Sequence, residues 1–573
     1  MNKKWITSAP YPADFGKKFS NLSPVALQLL YNRGLREAGE VEEFLVADFD
    51  KHVHDPFLFR DMKKAVERIF KAVDAKESVC IFGDYDADGV DAATILRTTL
   101  SLYGLSPRVY IPHRETEGYG LNSGAVEYIA HEGDTLLITC DCGISNAKEI
   151  AEAAEKGIDV IVTDHHAEPK VLPDRAVALI HPKLSHETYP CKNLSGGAVA
   201  FKVAQALLMT RPPLPQKETE NFLKRLTELA AISLVADMVP LLGEARTLTK
   251  YGLIVLNKTT PVGLKKLFEV AGIKPGTIEA WSIGYQIAPR INAAGRMDHA
   301  NAAFALLNAE SEDEALRLAL NLNAANAERQ KATETLVGEA REQIIATNQE
   351  EAPAIILFDE HWPAGLVGLA AGKIVEEFNR PAFVLTKKNG TELIGSARSI
   401  PSFNIIVAMQ KIPDAFLRFG GHPGAAGMSI APEKFDAFKE SFIAIAKAEM
   451  EGKDLTPSLA VDAELALSDI GWDVYTDLEK FAPHGMSNSK PRFLSRGLTV
   501  VSADQVGVGG KHLRLSVCQN GGEKKKCIAF RFGEEFKELK SGDRIDAVFE
   551  IENNEWNGRN ELQLNIVDLT LTA

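Results

Sequence analysis

The chain of 573 residues has little of the material that marks secreted or membrane proteins. Its six cysteines are scattered, with neither the spacing of a disulfide framework nor that of a zinc site. No uncharged run approaches the roughly 20 apolar residues that cross a membrane. The first residues hold no apolar stretch long enough for a signal peptide. We therefore expect a cytoplasmic protein in a reducing compartment, with no membrane partner.

The chain also lacks an excess of positive charge. Its formal net charge is -14, and its composition of 45% hydrophobic and 25% charged residues is that of a soluble globular protein. This balance argues against a surface coated with basic residues, although it leaves room for a local nucleic-acid groove. The length alone predicts three or four domains.

Short apolar runs alternate with amphipathic stretches from about residue 78, which predicts a parallel, doubly wound sheet. The predicted strands are SVCIFG, PRVYIP, DTLLITC, DVIVTD and AVALIHP. Ligands of such sheets bind at the carboxyl ends of the strands. Polar clusters follow three of these strands in turn, GDYDADG, DCG and DHH. We therefore expect the chemistry of the protein at this edge of the sheet.

The remaining sequence predicts an α/β multidomain chain with a terminal β-barrel. Residues 309–348 contain no proline and one glycine, and predict one long connecting helix. A smaller α/β domain is expected over 349–452. Five short strands within 455–573 favour a small Greek-key barrel of the OB-fold type. Residues 71–308 then form the parallel-sheet domain, and 1–70 are expected to pack on it.

Acidic residues follow the first predicted strand at alternate positions. Asp84, Asp86 and Asp88 lie just beyond SVCIFG, and alternate residues of an extended segment share one face. Two glycines, Gly83 and Gly89, permit a tight turn there. An acid-rich turn can also simply cap the next helix, so these residues alone leave both interpretations open.

Further acids and imidazoles follow other predicted elements. Asp141 follows the strand TLLITC, and His165 and His166 follow VIVTD. Asp237 lies inside the apolar segment AISLVADMVPLL, where a buried carboxylate needs a charge partner or a metal. Carboxylates together with imidazole favour Mn²⁺ or Mg²⁺ over zinc. Two such ions about 3.5–4 Å apart form a clamp for phosphate-ester hydrolysis.

Taken as a set, the motifs GDYDADG, DCG, DHH and VADMVPL resemble those of the DHH phosphoesterase superfamily. The resemblance continues through PRINAAGRMDHA, the long helix, GSARS and GGHPGAAG, which is the pattern of the second, DHHA1 domain of that superfamily. With an OB-like barrel at the end, the whole layout is similar to that of bacterial single-strand-specific 5′→3′ DNA exonucleases. The resemblance covers nearly the whole chain.

The resemblance implies a site for two divalent ions, Mn²⁺ or Mg²⁺. One ion would be held by four residues, namely Asp88, Asp141, His165 and Asp237. The other would be held by Asp86, with Asp141 bridging and Asp84 in support. His166 would face the scissile phosphate, so that His166 and Asp141 are the implied catalytic residues. Asp164 would either orient an imidazole through a hydrogen bond or cap the turn.

Two positions depart from the family pattern. Phe82 stands two residues before Asp84, where some relatives have a histidine, and we hypothesise a second ion that is held less tightly and keeps more water. In HWPAGLVG, Pro363 follows Trp362 where relatives usually place a histidine, and His361 lies before the tryptophan instead. What that family histidine does is therefore an open question in this chain.

Three residues near the predicted site are candidates for holding a nucleic-acid strand. By resemblance, Arg114 contacts a backbone phosphate, and Tyr119 stacks on or wedges against a base. The alternative for Tyr119 is an aromatic of a surface loop. Arg296 lies between the two halves of the chain, where it either grips the strand or forms a structural salt bridge.

The second domain carries a candidate phosphate site. Its members are Ser396, Arg398 and Ser399 of GSARS and His422 of GGHPGAAG. Small residues let backbone amides approach a phosphate, and we expect recognition of the 5′-terminal phosphate here. The alternative is a Gly-rich turn that closes the domain. Two phosphate grips at a fixed separation would set the polarity of cleavage.

The barrel region is locally basic. Between residues 485 and 532 nine lysines and arginines face only two acids, Asp504 and Glu523. Basic residues interleaved with aromatics favour a single-strand groove, and its candidate contacts are Lys511, Arg514 and Arg531. The alternative is a solvated face whose phenylalanines belong to the barrel core.

These features lead to a two-metal exonuclease that degrades single-stranded DNA from a 5′ end and releases 5′-mononucleotides. By family resemblance it acts in DNA repair and recombination, including mismatch repair, with single-strand-binding protein and a RecQ-type helicase as partners, and as a monomer. One alternative is a DHH phosphodiesterase for oligonucleotides or cyclic dinucleotides, whose members usually lack the barrel. Another is a non-catalytic replication scaffold, which would have lost the ligand acids that are present here.

Overall fold

The computed structural model describes residues 3–258, 261–297, 299–388, 391–556 and 558–572. Within these ranges, no helix combines the length and the apolar character that crossing a bilayer requires. Three large sheets organise the described chain, with five, five and six strands, and a two-stranded sheet pairs the first strand with one at residues 458–461. Strands are labelled β1–β18 and α-helices α1–α20 in chain order.

A five-stranded parallel sheet forms the centre of the first large domain. Its strands are β2 (Val79–Gly83), β3 (Arg108–Tyr110), β4 (Leu136–Cys140), β5 (Asp159–Thr163) and β6 (Ala178–Ile180). Their order is β3-β2-β4-β5-β6, and every neighbouring pair is parallel. The surrounding helices are α5 (Met62–Ala75), α6 (Ala87–Ser101), α7 (Ser123–His131), α8 (Ala147–Glu155) and α9 (Gly196–Thr210). This is the predicted doubly wound arrangement.

Alternating side chains of the central strands feed two separate cores. Ile81, Ile138 and Ile161 pack on one face of the sheet, whereas Leu137 and Val160 pack on the other. Burial on both faces explains why these strands read as continuous apolar runs. Because the strands are parallel, the residues that follow them all emerge at one edge of the sheet.

A layer of helices completes this domain and leads into a long helix. The layer contains α10 (Gln216–Ala236), α11 (Gly243–Leu256), α12 (Val262–Ala271), α13 (Ala280–Ser282), a π-helical turn (Ile283–Ile287), α14 (Ala288–Met297) and α15 (Asn301–Leu307). Helix α16 then runs from Glu312 to Ala346, capped by Ser311, whose hydroxyl accepts a hydrogen bond from the amide of Glu314 at 3.3 Å. The predicted helix over 309–348 is confirmed apart from its ends.

The second α/β domain has a mixed sheet in the order β10-β11-β9-β8-β7. Its strands are β7 (Ile355–Phe358), β8 (Ala382–Lys388), β9 (Glu392–Arg398), β10 (Arg418–His422) and β11 (Ala425–Ile430). Its helices are α17 (Val367–Phe378), α18 (Ile405–Met409) and α19 (Phe435–Met450). GSARS therefore begins in strand β9, and FGGHPGAAG forms the β10–β11 hairpin.

The last sheet closes into a barrel. Its strands are β13 (Ala463–Glu464), β14 (Phe493–Val506), β15 (His512–Gln519), β16 (Lys525–Ala529), β17 (Arg544–Trp556) and β18 (Arg559–Thr572). The order β13-β14-β15-β16-β18-β17 is closed by additional pairing of β14 with β17. Helix α20 (Trp472–Glu479) precedes the barrel. The five predicted strands are thus present as β14–β18.

The N-terminal segment contributes to two hydrophobic cores, that of the barrel region and that of the parallel-sheet domain. Its elements are β1 (Lys4–Thr7), α1 (Ala13–Lys18), α2 (Pro24–Asn32), α3 (Ala38–Val46) and α4 (Phe49–His52). Strand β1 pairs in parallel with β12 (Ser458–Val461). Phe15, Leu30 and Phe44 join the core of the barrel region, whereas Phe49 and Phe59 join the core of the parallel-sheet domain. Residues 1–70 are predicted to pack on the parallel-sheet domain, and their first helices also bury apolar side chains against the barrel.

One arginine of the parallel-sheet domain contacts both the N-terminal segment and the barrel region. Arg246 of α11 is fully buried, and its guanidinium donates hydrogen bonds at 2.8 to 3.2 Å. The acceptors are the backbone carbonyls of Phe44, Lys480, Phe481, Ala482 and Pro483. Burial lowers the pKa of Arg246 to about 9. The hydrogen bonds satisfy the buried donors and tie α11 to α3 and to the segment that follows α20.

Candidate metal centre and nucleic-acid interface

The first acid cluster lies in the turn between β2 and α6. Asp86 caps the helix, and its side chain accepts hydrogen bonds from the amides of Asp88 and Gly89 at 2.9 and 3.1 Å. Only glycine fits at position 89, because a Cβ there would lie 2.5 Å from the carbonyl oxygen of Asp84. The helix therefore starts directly against the turn, so both interpretations of this motif hold: Asp86 caps a helix, and the acids face one another.

Asp141 occupies a strained position at the end of β4. Its φ is 61°, in the left-handed region, where aspartate is more easily accommodated than bulkier residues. Its amide donates to the carbonyl of Thr163 at 3.0 Å. Helix α9 approaches so closely that a Cβ at Gly196 would lie 2.5 Å from the Cβ of Asp141. The backbone thus aims the Asp141 carboxylate away from the strand and into the acid cluster.

Asp88 is held by a set of donors that the sequence motifs do not include. The amides of Gly196 and Gly197 donate to its two carboxylate oxygens at 2.7 Å each. The hydroxyl of Ser233 on α10 also donates to Asp88. These contacts fix the orientation of the Asp88 carboxylate within the acid cluster. The run LSGGA, in which Ser195 caps α9, was the available sequence signal for this helix start.

His165 brings the acids of different elements together. Its Nε2 lies 3.0 Å from an oxygen of Asp141, 3.4 Å from Asp88 and 3.6 Å from Asp237. Asp237 reaches the cluster from the C-terminal end of α10 rather than from a strand. A second set of ligand atoms, from Asp84, Asp86 and Asp141, also lies within 4.8 Å of one another. The two groups contain the residues named above as candidate ligands, and Asp141 lies next to both.

The electrostatics of the cluster call for a cation. Burial and the neighbouring carboxylates raise the pKa of Asp84, Asp88 and Asp141, and that of Asp237 to about 8. Burial lowers the pKa of His165 to about 4, which keeps its imidazole neutral and able to bind a metal. Within the described residues, Asp84 Oδ1 and His165 Nδ1 are buried without a hydrogen-bond partner. This oxygen-rich set fits Mn²⁺ or Mg²⁺.

His166 takes a different position from its neighbour. Its Nδ1 lies 2.8 Å from Asp164 and 3.0 Å from the hydroxyl of Tyr119. Burial alone would lower the pKa of His166, but the hydrogen bond and the charge of Asp164 outweigh it and raise that pKa. Asp164 also accepts hydrogen bonds from the amides of Ile144 and His165 at 2.9 and 2.6 Å. Asp164 therefore both orients an imidazole and holds the turn, which resolves the two alternatives.

Tyr119 and Arg114 border the acid cluster. The Tyr119 hydroxyl donates to the carbonyl of Asp141 at 3.1 Å, while 48% of the residue is exposed. The Arg114 guanidinium lies 4.9 Å from the centre of the Tyr85 ring, and its charge offsets part of the rise that burial causes in the pKa of Asp84. An anchored hydroxyl with an open ring face is suited to stacking on a base.

Arg296 connects the two α/β domains. Its Nη1 donates to the carbonyl of Gly365 at 2.9 Å. Burial, followed by the charge of Arg114, lowers the pKa of Arg296 to about 10. Among the described residues Arg296 has no carboxylate partner, so the structural salt bridge considered for it is absent.

Two of the predicted phosphate contacts of the second domain lie against the start of α17. A Cβ at Gly368 would lie 3.2 Å from the hydroxyl of Ser396 and 3.3 Å from Nη2 of Arg398. A helix N-terminus next to an arginine is suited to an anion. The Ser399 hydroxyl instead donates to the carbonyl of Phe403 at 2.7 Å, and His422 lies exposed in the neighbouring hairpin.

The basic character of the barrel is largely neutralised by acids outside residues 485–532. Lys490 lies 2.5 Å from Glu552, and Lys526 lies 2.7 Å from Glu561. Four of the nine bases pair with acids outside this range, namely Lys490, Arg492, Arg496 and Lys526. Arg514 and Lys525 pair with the two acids inside it, Asp504 and Glu523. Among the described residues, the members of these nine bases without an ion pair are Lys511, Lys524 and Arg531. The excess counted in the sequence is therefore much smaller on the folded surface.

Lys511 and Arg531 lie near each other around an exposed aromatic ring. The amide of Arg531 donates to Nδ1 of His512 at 3.0 Å, and the His512 ring lies 5.3 Å from that of Phe530. Phe530 is 52% exposed, so it is not part of the barrel core. Arg514 is more than half exposed and lies 3.5 Å from Asp504.

At the two positions that depart from the family pattern, the side chains have structural contacts instead. Phe82 is fully buried and stacks on Tyr110 at 5.4 Å, on the sheet face of the second core. Trp362 donates from Nε1 to Glu339 of α16 at 2.8 Å, and His361 is exposed on the surface. Among the described residues, neither position supplies an imidazole to the acid cluster.

The fold and the acid cluster together define a DHH phosphoesterase. The model of the DHH family, N-terminal domain, matches residues 78–234, and that of the DHHA1 domain matches 351–448. The model of the RecJ OB domain matches residues 461–568. All three therefore fall on the three large sheets described above.

Full-length relatives specify the family further. The single-stranded-DNA-specific exonuclease RecJ of Bacillus subtilis is 36% identical over 96% of this chain and 68% of its own length. The RecJ of Salmonella typhimurium is 30% identical over 98% of this chain and 97% of its own length. The crystal structure of RecJ from Thermus thermophilus in complex with Mn²⁺ covers 99% of this chain and 79% of that chain, with a TM-score of 0.82 at 28% identity. The chain belongs to the RecJ family.

Proposed function

We propose that this protein hydrolyses single-stranded DNA from its 5′ end and releases 5′-mononucleotides. The observation that carries the proposal is the complete acid and histidine cluster at the carboxyl edge of the parallel sheet, with Asp141 adjacent to both groups of ligand atoms. An inactive scaffold would not need to keep like charges buried together. The relatives named above are single-stranded-DNA-specific exonucleases, which agrees with this activity.

Two divalent ions would be held at this cluster. One would take Asp88, Asp141, His165 and Asp237 as ligands, and the other would take Asp84, Asp86 and Asp141. Mn²⁺ or Mg²⁺ bound there supplies an activated water and neutralises charge on the phosphate. The RecJ structures from Thermus thermophilus contain Mn²⁺ or Mg²⁺. The outer donors Gly196, Gly197 and Ser233 fix the carboxylate of Asp88.

The residues around the ions would position the scissile phosphate. His166, held through Nδ1 by Asp164, keeps Nε2 for a phosphate oxygen, and its raised pKa favours the protonated donor form. Arg114 and Arg296 add positive charge beside Asp84 and Asp86. Tyr119 presents its open ring to a base. Together these groups hold the backbone without reading its sequence.

The second domain would recognise the 5′-terminal phosphate. Ser396 and Arg398 face the first turn of α17, which offers backbone amides and the positive end of the helix dipole. Arg296 links this domain to the acid cluster through Gly365. Two phosphate sites at a fixed separation give the strand a direction and define the length that is removed. The Ser399 hydroxyl and His422 are outer members of this site.

The barrel would hold the longer part of the strand through Lys511, Arg514, Arg531 and the ring of Phe530.

We divide the chain into a catalytic domain over 71–308, a connecting helix over 309–348, a DHHA1 domain over 349–452 and the barrel over 455–573. Residues 1–70 form an N-terminal segment that packs on the catalytic domain and on the barrel. We further propose a monomer that acts in the cytoplasm in DNA repair, recombination and mismatch repair. Single-strand-binding protein and a RecQ-type helicase would be its partners.

Cleavage of defined DNA substrates tests the activity. With Mn²⁺, we expect 5′-labelled single strands to release labelled mononucleotide at once, whereas blunt duplexes and dinucleotides are cut slowly. Asp141→Ala should be inactive, and Asp174→Ala, a change of an exposed acid in the loop after β5, should be fully active. Robust cutting of duplex, or of dinucleotides alone, would refute the proposed substrate. Activity in Asp141→Ala would refute the site.

A further inference from the structure

Two exposed aromatic rings lie together at the start of the helix that runs past the acid cluster. Trp281 and Tyr285 are 58% and 69% exposed. Their rings are stacked, with centroids 5.4 Å apart and an angle of 22° between the planes. Residues four apart share one face of a helix; Trp281 precedes the π-helical turn Ile283–Ile287, and Tyr285 lies within it. π-Helical turns are rare in proteins overall, but those that occur are often found at functional sites.

The position of this turn relates the aromatic pair to one end of the acid cluster. The turn packs on the C-terminal end of α10, since a Cβ at Gly284 would lie 3.8 Å from Cγ1 of Val235. Val235 lies two residues before Asp237, the acid that α10 contributes to the cluster. The exposed rings therefore border the Asp237 end of the candidate metal centre.

The other end of the same helix borders the opposite end of the acid cluster. Asn292 of α14 accepts a hydrogen bond from the amide of Ala87 at 2.7 Å. A Cβ at Gly295 would lie 2.7 Å from the carbonyl of Tyr85. Arg296 then connects to the second domain. From Tyr285 to Arg296 the helix rises about 16 Å, and its two ends contact α10 near Asp237 and the turn that carries Asp84 and Asp86.

Positive charge without acidic partners accompanies this helix. Arg290 donates to the side chain of Asn323 on α16 at 3.0 Å. Burial and the charge of Arg329, also on α16, lower the pKa of Arg290, and burial with the charges of Arg114 and Arg329 lowers that of Arg296. In the described part of the chain, Arg114, Arg290, Arg296 and Arg329 form no ion pair. Guanidinium groups without carboxylates are available to phosphates.

We infer that Trp281 and Tyr285 form a base-stacking site for single-stranded DNA on the side of the metal centre opposite the 5′-phosphate site. Phosphates of the strand run along the arginines, and one or two bases rest on the exposed ring faces. The occupant is nucleic acid rather than a protein helix, because the rings adjoin a row of unpaired guanidinium groups and the acid cluster. Flat rings accept any base, as a nuclease without sequence preference requires.

This inference rests on the proposed function, and an abasic scan tests it. A single abasic nucleotide is moved along a fluorescent single strand, which keeps every phosphate but removes one base at a time. Binding is measured by anisotropy without divalent metal, for the wild type and for the double variant Trp281→Ala/Tyr285→Ala. Tyr128→Ala, which removes a 43% exposed aromatic of α7, is the matched control.

We expect the wild type and the control to lose about fivefold or more in affinity at one or two positions of the abasic site, the smallest loss reported for a stacked base. In the double variant, intact DNA should bind that much more weakly, and the loss at those positions should vanish. A scan that keeps the same sensitive positions in the double variant would overturn the inference, as would a flat scan in the wild type. If the wild type fails to cleave single strands, the proposed function fails instead.

Discussion

At the carboxyl edge of the parallel sheet, five aspartates and two histidines converge, and burial forces like charges together. On the barrel, charges that look unbalanced in the sequence are matched by acids from neighbouring strands, such as Glu552 and Glu561. In the first region, electrostatic repulsion between buried carboxylates would be relieved by a bound cation. In the second region, most charges are already neutralised by ion pairs. A count of charges therefore says less about binding than whether each charge already has a partner.

The largest effect is expected from Asp141→Asn. The change removes the carboxylate next to both groups of ligand atoms, and cleavage should fall by more than the roughly 100-fold that loss of an outer partner causes. The metal-free protein should become more stable, because one of several mutually repelling buried carboxylates is gone. Cleavage rates and thermal unfolding in a chelator measure both. A fall in metal-free stability would contradict the stored repulsion.

The next effect concerns Ser233→Ala, which removes one donor to Asp88. We expect Mn²⁺ to bind about 10- to 100-fold more weakly, with activity recovered at high Mn²⁺. Thr99→Ala is the control, since Thr99 on α6 is buried but bonds only within its own helix. A titration of cleavage rate against Mn²⁺ separates the two variants. Equal Mn²⁺ requirements would show that the outer donor does not tune the site.

Arg398→Ala tests a guanidinium that lacks a carboxylate partner within the described chain. We expect the preference for a 5′-phosphate over a 5′-hydroxyl to fall by about tenfold or more, the value of a hydrogen bond to a charged group. Competition between the two kinds of 5′ end measures it. Arg380→Ala, another arginine of the same domain, should keep the preference. An unchanged preference in Arg398→Ala would move the 5′-phosphate site elsewhere.

The smallest effects should sharpen the contrast within the barrel. Lys511→Ala and Arg531→Ala each remove an unpaired charge, so each should lower the salt dependence of long-strand binding by about one unit of slope. Lys490→Ala should leave the slope unchanged, because Glu552 and Glu550 already neutralise that lysine. Binding measured over a range of salt concentrations decides the matter. Equal changes in all three variants would contradict the distinction between paired and unpaired bases.

Sequence patterns predicted much of the acid and histidine cluster because several of its residues follow strands of one sheet. Asp84, Asp141 and His165 could be expected at one edge as soon as the strands were predicted to be parallel. Ser233 could not, because nothing local relates a serine within a long helix to an acid 145 residues earlier. Its contact depends on how α10 packs against α6.

The barrel charges and the N-terminal segment were harder for a related reason. Lys526 and Glu561 meet only because β16 pairs with β18, and such pairing between strands far apart in sequence leaves no local pattern. The same holds for β1 and β12, which are separated by about 450 residues and pair in parallel. Charge counts over a window of sequence therefore overestimated the basic surface, and the packing of the first helices against the barrel has no local sequence signal.

The five backbone carbonyls that accept hydrogen bonds from Arg246 affect where this chain can be truncated. A boundary near residue 455 looks like a natural place to cut, since the barrel follows it as a separate sheet. Cutting there would remove four of those carbonyls and strip the cover from Phe15, Leu30 and Phe44. The sequence suggests separable domains, but in the folded protein these domains share buried contacts. Single substitutions on the barrel surface are consequently the better way to learn what the barrel contributes.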